Sequence, residues 1–287
     1  MLFLSGKTKQ KTKRLFYSVF IWVMAAVWFA PIFWMLVTSF KETGVAVVES
    51  PPRWLPQPVT LENYRVIFTA SGGININLAF LNSILVATIS SFAGLLVAIP
   101  AAYALARLRF PGQKIIFWTY VAVLAFPPVL FLVPNYFIIF QLNLMNTFSA
   151  LILPGLGGTF GVFLLRQYML GIPREIEEVA WIDGCSKLRF LISIGVPIIK
   201  PALVTLGLMT FLASWNNFLW PLLVLTTAKK FTLPIALVRF TAGWGDPFRG
   251  IGPSMAAAFM SVGPALVIFV LFRRYLMRGI SLGSVVR

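Results

Sequence analysis

Six long apolar stretches, none containing Asp, Glu, Lys or Arg, constrain this chain more than any other feature. They run from Leu15 to Phe40, Leu78 to Ala106, Ile115 to Phe140, Ser149 to Leu165, Pro201 to Thr227 and Ser254 to Phe272. A bilayer core about 30 Å thick is crossed by about 20 mostly apolar residues rising about 1.5 Å each. Lipid offers backbone groups no hydrogen-bond partner, so a crossing segment must satisfy its own, as a helix does. The expected fold is therefore all-α: a polytopic membrane protein with six transmembrane helices. Composition agrees. Charged residues make up 11% of the chain, against about 25% in a soluble domain.

Net charge is +16, from 24 Lys+Arg against 8 Asp+Glu. On a soluble domain that excess would suggest nucleic acid. Here the basic residues sit in short clusters between apolar runs, as in cytoplasmic loops, so lipid is expected as a partner and nucleic acid is not. With the N-terminus inside, seventeen Lys/Arg fall on the inner side and seven on the outer. The expectation is a multi-pass membrane protein with both termini cytoplasmic. The run after Lys7, Lys9, Lys11, Lys13 and Arg14 outlasts the 7–15-residue core of a cleaved signal peptide, which makes it an uncleaved first span. The resulting division is a basic N-terminus (1–14), a first span (15–40) and an external loop (41–77). A transmembrane core (78–277) with a cytoplasmic loop at 166–200 follows, then a tail (278–287).

Several chemistries lack their residues. There is no histidine and one cysteine, Cys185, which removes an intrachain disulfide, the usual zinc sites, Ser/His and Cys/His nucleophile pairs and a histidine proton relay. No catalytic residue and no metal ligand is assigned. Ion-coupled carriers hold ionisable groups at membrane depth; the spans lack them, which argues against a stand-alone secondary transporter. A membrane-embedded enzyme would need convergent catalytic groups, and none are found.

Proline and glycine recur inside the spans, at Pro31, Pro100, Pro127, Pro128, Pro134, Pro221, Gly207, Gly263 and Pro264. Singly they read as helix packing. The cluster from Ala125 to Pro134 reads as bent helix lining a pathway. The first external loop, with Pro51, Pro52, Pro56 and Pro58 around Trp54, is expected to be turn-rich with a short helix near Leu61 to Thr69. A second, Ala228 to Pro253, includes Trp244 and Asp246.

The inner loop between the fourth and fifth spans holds four of the eight acidic residues, Glu175, Glu177, Glu178 and Asp183. Pro173 suits a first helical turn, and Glu175 and Glu177 read as solvated or as partners of the helix dipole. Ile176, Val179, Ala180 and Asp183 share one face by helical spacing. Gly184 is placed to end the helix with positive φ. Ser186 can cap a second helix with Leu188, Leu191, Ile192 and Gly195 on a common face, and Pro197 and Pro201 mark the start of the fifth span. Helices this short are marginal alone, so a partner surface is expected to stabilise them. Arg107 and Arg109 are expected to face anionic headgroups.

The run Glu178-Val-Ala-Trp-Ile-Asp183-Gly184, with Ile194 and Pro197, resembles the EAA loop of ABC importer permeases. The family pattern is Glu-Ala-Ala, three residues and Gly, then about nine residues to Ile-x-Leu-Pro; Val179 and Val196 are apolar departures from it. Leu61-Glu-Asn-Tyr64, Asn82-Ser83, Tyr103-Ala-Leu-Ala-Arg107, Trp215-Asn-Asn-Phe-Leu-Trp-Pro221 and Gly279-Ile-Ser-Leu-Gly283 are similar to the carbohydrate-uptake branch, in particular its maltose-type G-subunit permeases. The resemblance implies a type I importer permease fold in the bacterial inner (cell) membrane, with a second homologous permease, a dimeric cytosolic ATPase and an extracytoplasmic sugar-binding protein as partners. It implies that Glu178, Ala180, Asp183 and Gly184 belong to an ATPase-coupling element. It implies no cofactor on this chain, with ATP and Mg²⁺ on the ATPase; no Gly-x-x-x-x-Gly-Lys-Ser/Thr run is present. A sugar-like osmolyte or polyol stays open as cargo. Candidate pathway residues are Trp215, Asn216, Asn217, Asn82, Asn135 and Tyr136, since an aromatic face with amides suits a pyranose ring; hydrogen bonding to neighbouring helices stays open as their other role.

Overall fold

The computed structural model describes residues 4–42, 53–69, 74–243 and 247–281. Trp244, Asp246, Pro51, Pro52 and residues 282–287 lie outside them. All regular structure among the described residues is helical: α1 (Leu4–Ser39), α2 (Glu62–Thr69), α3 (Ile76–Arg107), α4 (Gln113–Leu124), α5 (Leu132–Gln141), α6 (Phe148–Ile152), α7 (Thr159–Leu170) and α8 (Arg174–Ile182). Then come α9 (Lys187–Ile198), α10 (Lys200–Trp215), α11 (Leu219–Val224), α12 (Leu233–Ala242) and α13 (Pro247–Ser281). Short 3-10 turns precede α5 and follow α6.

Among the described residues, three stretches are long and apolar enough to cross a membrane as single helices: Lys13–Ser39, Ile76–Arg107 and Gly250–Arg273. Three more qualify only as bent pairs: Gln113–Leu124 with Pro128–Gln141 at 105°, Phe148–Gly155 with Thr159–Leu170 at 43°, and Lys187–Ile198 with Lys200–Trp215 at 79°. The expected continuous span from Ile115 to Phe140 is therefore corrected to two helices at nearly a right angle. The cause is Pro127-Pro128: neither offers an N–H, and Pro127 disfavours helical backbone at Phe126. The expected fifth span likewise stops at Trp215, where Asn216 Nδ2 donates to the Leu212 carbonyl (2.9 Å), and resumes as α11 after Phe218. Pro31 and Pro100, by contrast, sit inside unbroken helices.

The chain forms two compact units, Met1–Gly72 with Arg239–Val262, and Gly73–Val238 with Gly263–Arg287. In the first, the short helix expected near Leu61 is α2, pinned to the end of α1. Asn63 is fully buried, and its Nδ2 donates to the Ser39 (3.0 Å) and Lys41 (2.7 Å) carbonyls. Ser39 Oγ and Tyr64 OH lie 2.9 Å apart, and Lys41 Nζ lies 5.1 Å from the Trp34 ring centroid. Gly252 backs this knot so closely that a Cβ there would fall 2.5 Å from Asn63 Oδ1.

The second unit is organised around α3, packed against α7 and α10. Small residues allow the approach, as at membrane helix crossings. Ser91 Oγ donates to the Gly207 carbonyl at 2.7 Å, and a Cβ on Gly161 would meet Leu206 at 3.1 Å. The core continues through Tyr103, Leu165 and Met169 to Ala180, Phe190 and Leu191, so α8 and α9 are rooted in it. The face expected for α9 is corrected here. Phe190, Leu191 and Gly195 are buried, whereas Leu188 and Ile192 are 65% and 60% exposed. A π-helical turn at Leu191–Gly195 shifts the buried stripe away from simple helical spacing.

Candidate coupling element and translocation cleft

Local sequence sets the ends of both helices of the candidate coupling element. Helix α8 starts after Pro173 with Glu175 and Glu177 in its first turn. It ends at Gly184, whose φ is +75°, with Gly184 N bonded to the Trp181 carbonyl (3.0 Å) and Cys185 N to the Ala180 carbonyl (2.8 Å). Those two bonds form a Schellman termination, for which the left-handed residue is usually glycine. Ser186 Oγ accepts from Arg189 N at 3.3 Å and caps α9.

The buried face of α8 is Glu177 and Ala180. Two expectations are corrected by this. Glu177 is not solvated: it is paired with Arg107 at 3.3 Å, and the two side chains are only 7% and 5% exposed. Arg107 in turn does not reach for headgroups. Its Nε donates to the Met169 carbonyl (3.1 Å), and Nη2 donates to Met169 O (2.5 Å) and to Ile172 O. One guanidinium thus closes the C-terminal end of α7 and holds the first turn of α8 against the end of α3. One face of these helices is held by the chain's own core, which leaves the other faces for the partner surface expected to stabilise them. Glu177 lies three residues before Ala180, so its burial follows from the same helical spacing that buries Ala180.

The remaining faces of the element are open. Ile176, Val179, Ala180, Asp183 and Ile194 line a shallow groove of about 390 Å³ with Glu175, so the face expected from spacing is a single surface. Beyond it, Trp181 is 46% and Ile182 85% exposed. Glu178 faces a second, more polar hollow beside Arg109, Arg174 and Lys187.

A separate cleft of about 310 Å³ gathers three helix breaks. Pro128, Leu132 and Asn135 come from the α4/α5 break, Pro154 and Gly155 from the α6/α7 break, and Ser214, Asn217 and Trp220 from the α10/α11 break. Ser90 and Thr210 complete the polar lining. Of the expected pathway residues, Asn135 and Asn217 meet here. The others do not line the cleft. Asn82 is buried, its Nδ2 donating to the Lys229 and Phe231 carbonyls at 3.0 Å each. Trp215 is 3% exposed, stacked on Phe211 and edge-on to Phe80. Asn216 closes the end of α10, and Tyr136 is half-buried beside Phe137. The sequence reading missed Ser90 and Thr210, which carry no local signal, and Trp220, whose Nε1 donates to the Ala150 carbonyl at 2.9 Å. It also missed Asn146, which has φ +59°, accepts from Thr226 N and Thr227 N (3.1 Å each) and so ties two loops together.

With this geometry in view, comparison with known proteins is decisive. The family described as binding-protein-dependent transport system inner membrane component matches residues 92–282. This chain belongs to that family. The arabinooligosaccharides transport system permease protein AraQ of Halalkalibacterium halodurans is 34% identical over 86% of this chain and 85% of its own. The sn-glycerol-3-phosphate transport system permease protein UgpE of Brucella abortus is 30% identical over 87% and 89%. Among solved structures, a bacterial ABC transporter that imports the acidic polysaccharide alginate superposes with TM-score 0.81 at 21% identity, covering 93% of this chain and 97% of that one; this shows a shared fold. The protein is thus a multi-pass inner-membrane permease subunit of an ABC importer.

Proposed function

We propose that this permease subunit imports a sugar or oligosaccharide, and that residues 166–200 couple it to a cytosolic ATPase dimer that supplies ATP and Mg²⁺. The observation that carries the reading is the two-sided character of α8. Ala180 and Glu177 root it in the core, while Ile176, Val179 and Ile182 stand exposed on the rest of the helix. Exposed apolar surface rimmed by charge marks a docking site, and a rooted helix transmits force that a free loop would absorb. Glu178 offers the charge for a basic residue of the ATPase, Asp183 contributes at the far end, and Gly184 sets the turn. The Arg107 clamp makes the ends of α3 and α7 follow α8, so a push on the coupling helix reaches the helices that pack on α10. In this reading both termini and the coupling element are cytoplasmic, which the excess of Lys and Arg on that side supports. The family's description as binding-protein-dependent supports an extracytoplasmic sugar-binding protein as partner, and in this reading a second homologous permease completes the importer.

Glu178→Lys tests the coupling. The protein is expected to insert normally and to lose co-purification with the ATPase and ATP-driven uptake. Full uptake by Glu178→Lys, or uptake by the purified chain alone driven by an ion gradient, would overturn the reading.

A further inference from the structure

We propose that the cleft at the three helix breaks is a transit site for a single uncharged sugar ring and that it disfavours anionic sugars and polyol phosphates. This deepens the importer reading and rests on it.

The backbone supplies the first argument. Interrupted helices at membrane depth are tolerated where the freed groups are buried in protein or line a cavity, and binding sites of transporters form at such interruptions. Here residues beside three interruptions line one space: Pro128 follows the break at 125–127, Pro154 and Gly155 precede the one at 156–158, and Asn217 lies within the one at 216–218.

Side chains supply the second. A serine inside a helix commonly returns its hydroxyl to the carbonyl four residues back. Thr205 and Thr210 do so, bonding Pro201 O and Leu206 O at 2.9 Å. Ser90 does not; its Oγ is buried at the cleft wall with no hydrogen-bond partner among the described residues. Asn217 Oδ1 accepts only a long bond (3.4 Å) from Trp220 N, leaving its Nδ2 uncommitted among the described residues. With Asn135, Ser214 and Thr210, the cleft is lined by two amides and three hydroxyls, of which Thr210's already donates to the Leu206 carbonyl. Each group type both donates and accepts, which matches the hydroxyls of a sugar. The indole of Trp220, anchored through Nε1 to Ala150 O, is fixed as an aromatic wall.

Charge supplies the third. No Asp, Glu, Lys or Arg is among the described residues lining the cleft. A carboxylate or phosphate entering it would lose hydration without gaining a cation. A neutral ring exchanges water for the amides and hydroxyls. A volume of about 310 Å³ lies at the small end of the roughly 300–1,000 Å³ typical of ligand pockets, suiting one ring and requiring a longer cargo to pass ring by ring.

The test is saturation-transfer NMR on the purified full-length chain in nanodiscs. Maltotriose and arabinotriose serve as neutral probes, trigalacturonate and glycerol 3-phosphate as anionic ones. Neutral probes are expected to receive saturation and anionic ones to receive little. Asn135→Ala with Asn217→Ala should weaken neutral binding roughly tenfold, the loss expected of two neutral hydrogen bonds. Ser90→Ala, which removes one buried atom, gives a smaller loss in the same direction and guards against misfolding of the double variant. Asn217→Lys should raise the anionic signal. Equal signals from both probe classes, or neutral binding unchanged in both the double variant and Ser90→Ala, would overturn the proposal. Co-purification with the ATPase reports on the importer reading separately: if it persists while the cleft assay fails, only the cleft assignment falls.

Discussion

Replacing Arg107 by methionine tests the clamp most directly. Arg107 and Glu177 are 5% and 7% exposed and 3.3 Å apart, so the substitution leaves a carboxylate buried without its cation. It also removes the donor from the Met169 and Ile172 carbonyls. Breaking a buried pair from one side costs about 3–5 kcal/mol. Losing a donor to a buried carbonyl costs about 1–3 kcal/mol, and part of that loss is already included in the first figure because both contacts involve one guanidinium. About 4 kcal/mol is therefore expected for Arg107→Met, and about 3 kcal/mol for Glu177→Met, which strands the guanidinium but leaves its carbonyl contacts. The double variant removes both charges together and should cost about 2–3 kcal/mol, far less than the sum, because apolar replacement of a whole buried pair is close to neutral. Unfolding of the purified chain in mixed detergent micelles, run as a double-mutant cycle, measures these values. Single variants costing less than about 1 kcal/mol, or a double variant equal to the sum of the singles, would refute the clamp.

Gly184→Ala should cost only about 1–2 kcal/mol, the penalty of left-handed backbone for an L-residue, since a Cβ at φ +75° meets nothing within 4 Å; ATPase co-purification should fall further for Gly184→Val, and equal behaviour of alanine, valine and glycine would remove the turn argument. Gly252→Ala places a Cβ 2.5 Å from Asn63 Oδ1, and Asn63 is held by two hydrogen bonds, so thermal stability should drop by about 1–3 kcal/mol of overpacking. Gly207→Val should separate α3 from α10 and lower stability similarly, because even a Cβ would approach Leu95 to 3.3 Å. Asn146→Ala removes the acceptor for Thr226 N and Thr227 N; faster amide hydrogen exchange at 224–230 is expected, with stability changing by no more than about 1 kcal/mol at this exposed site.

Which residues could be assigned from the sequence follows from the range of the forces involved. The α8–Gly184–α9 hairpin was readable because its determinants are local: Pro173 at the start, a left-handed glycine at the end and a serine cap satisfy backbone groups within a few residues of themselves. The six apolar runs were readable because solvent alone demands them. Tertiary structure decided the rest. Glu177 and Glu178 are adjacent and chemically equivalent, yet one is buried against Arg107, seventy residues away in sequence, and the other faces outward. Asn82 and Asn217 are alike in composition, but one fastens a loop and the other faces a cleft. Lipid sets which segments become helices, whereas long-range packing sets which polar groups on them remain free to act, because a buried polar atom must find its partner wherever the fold brings one.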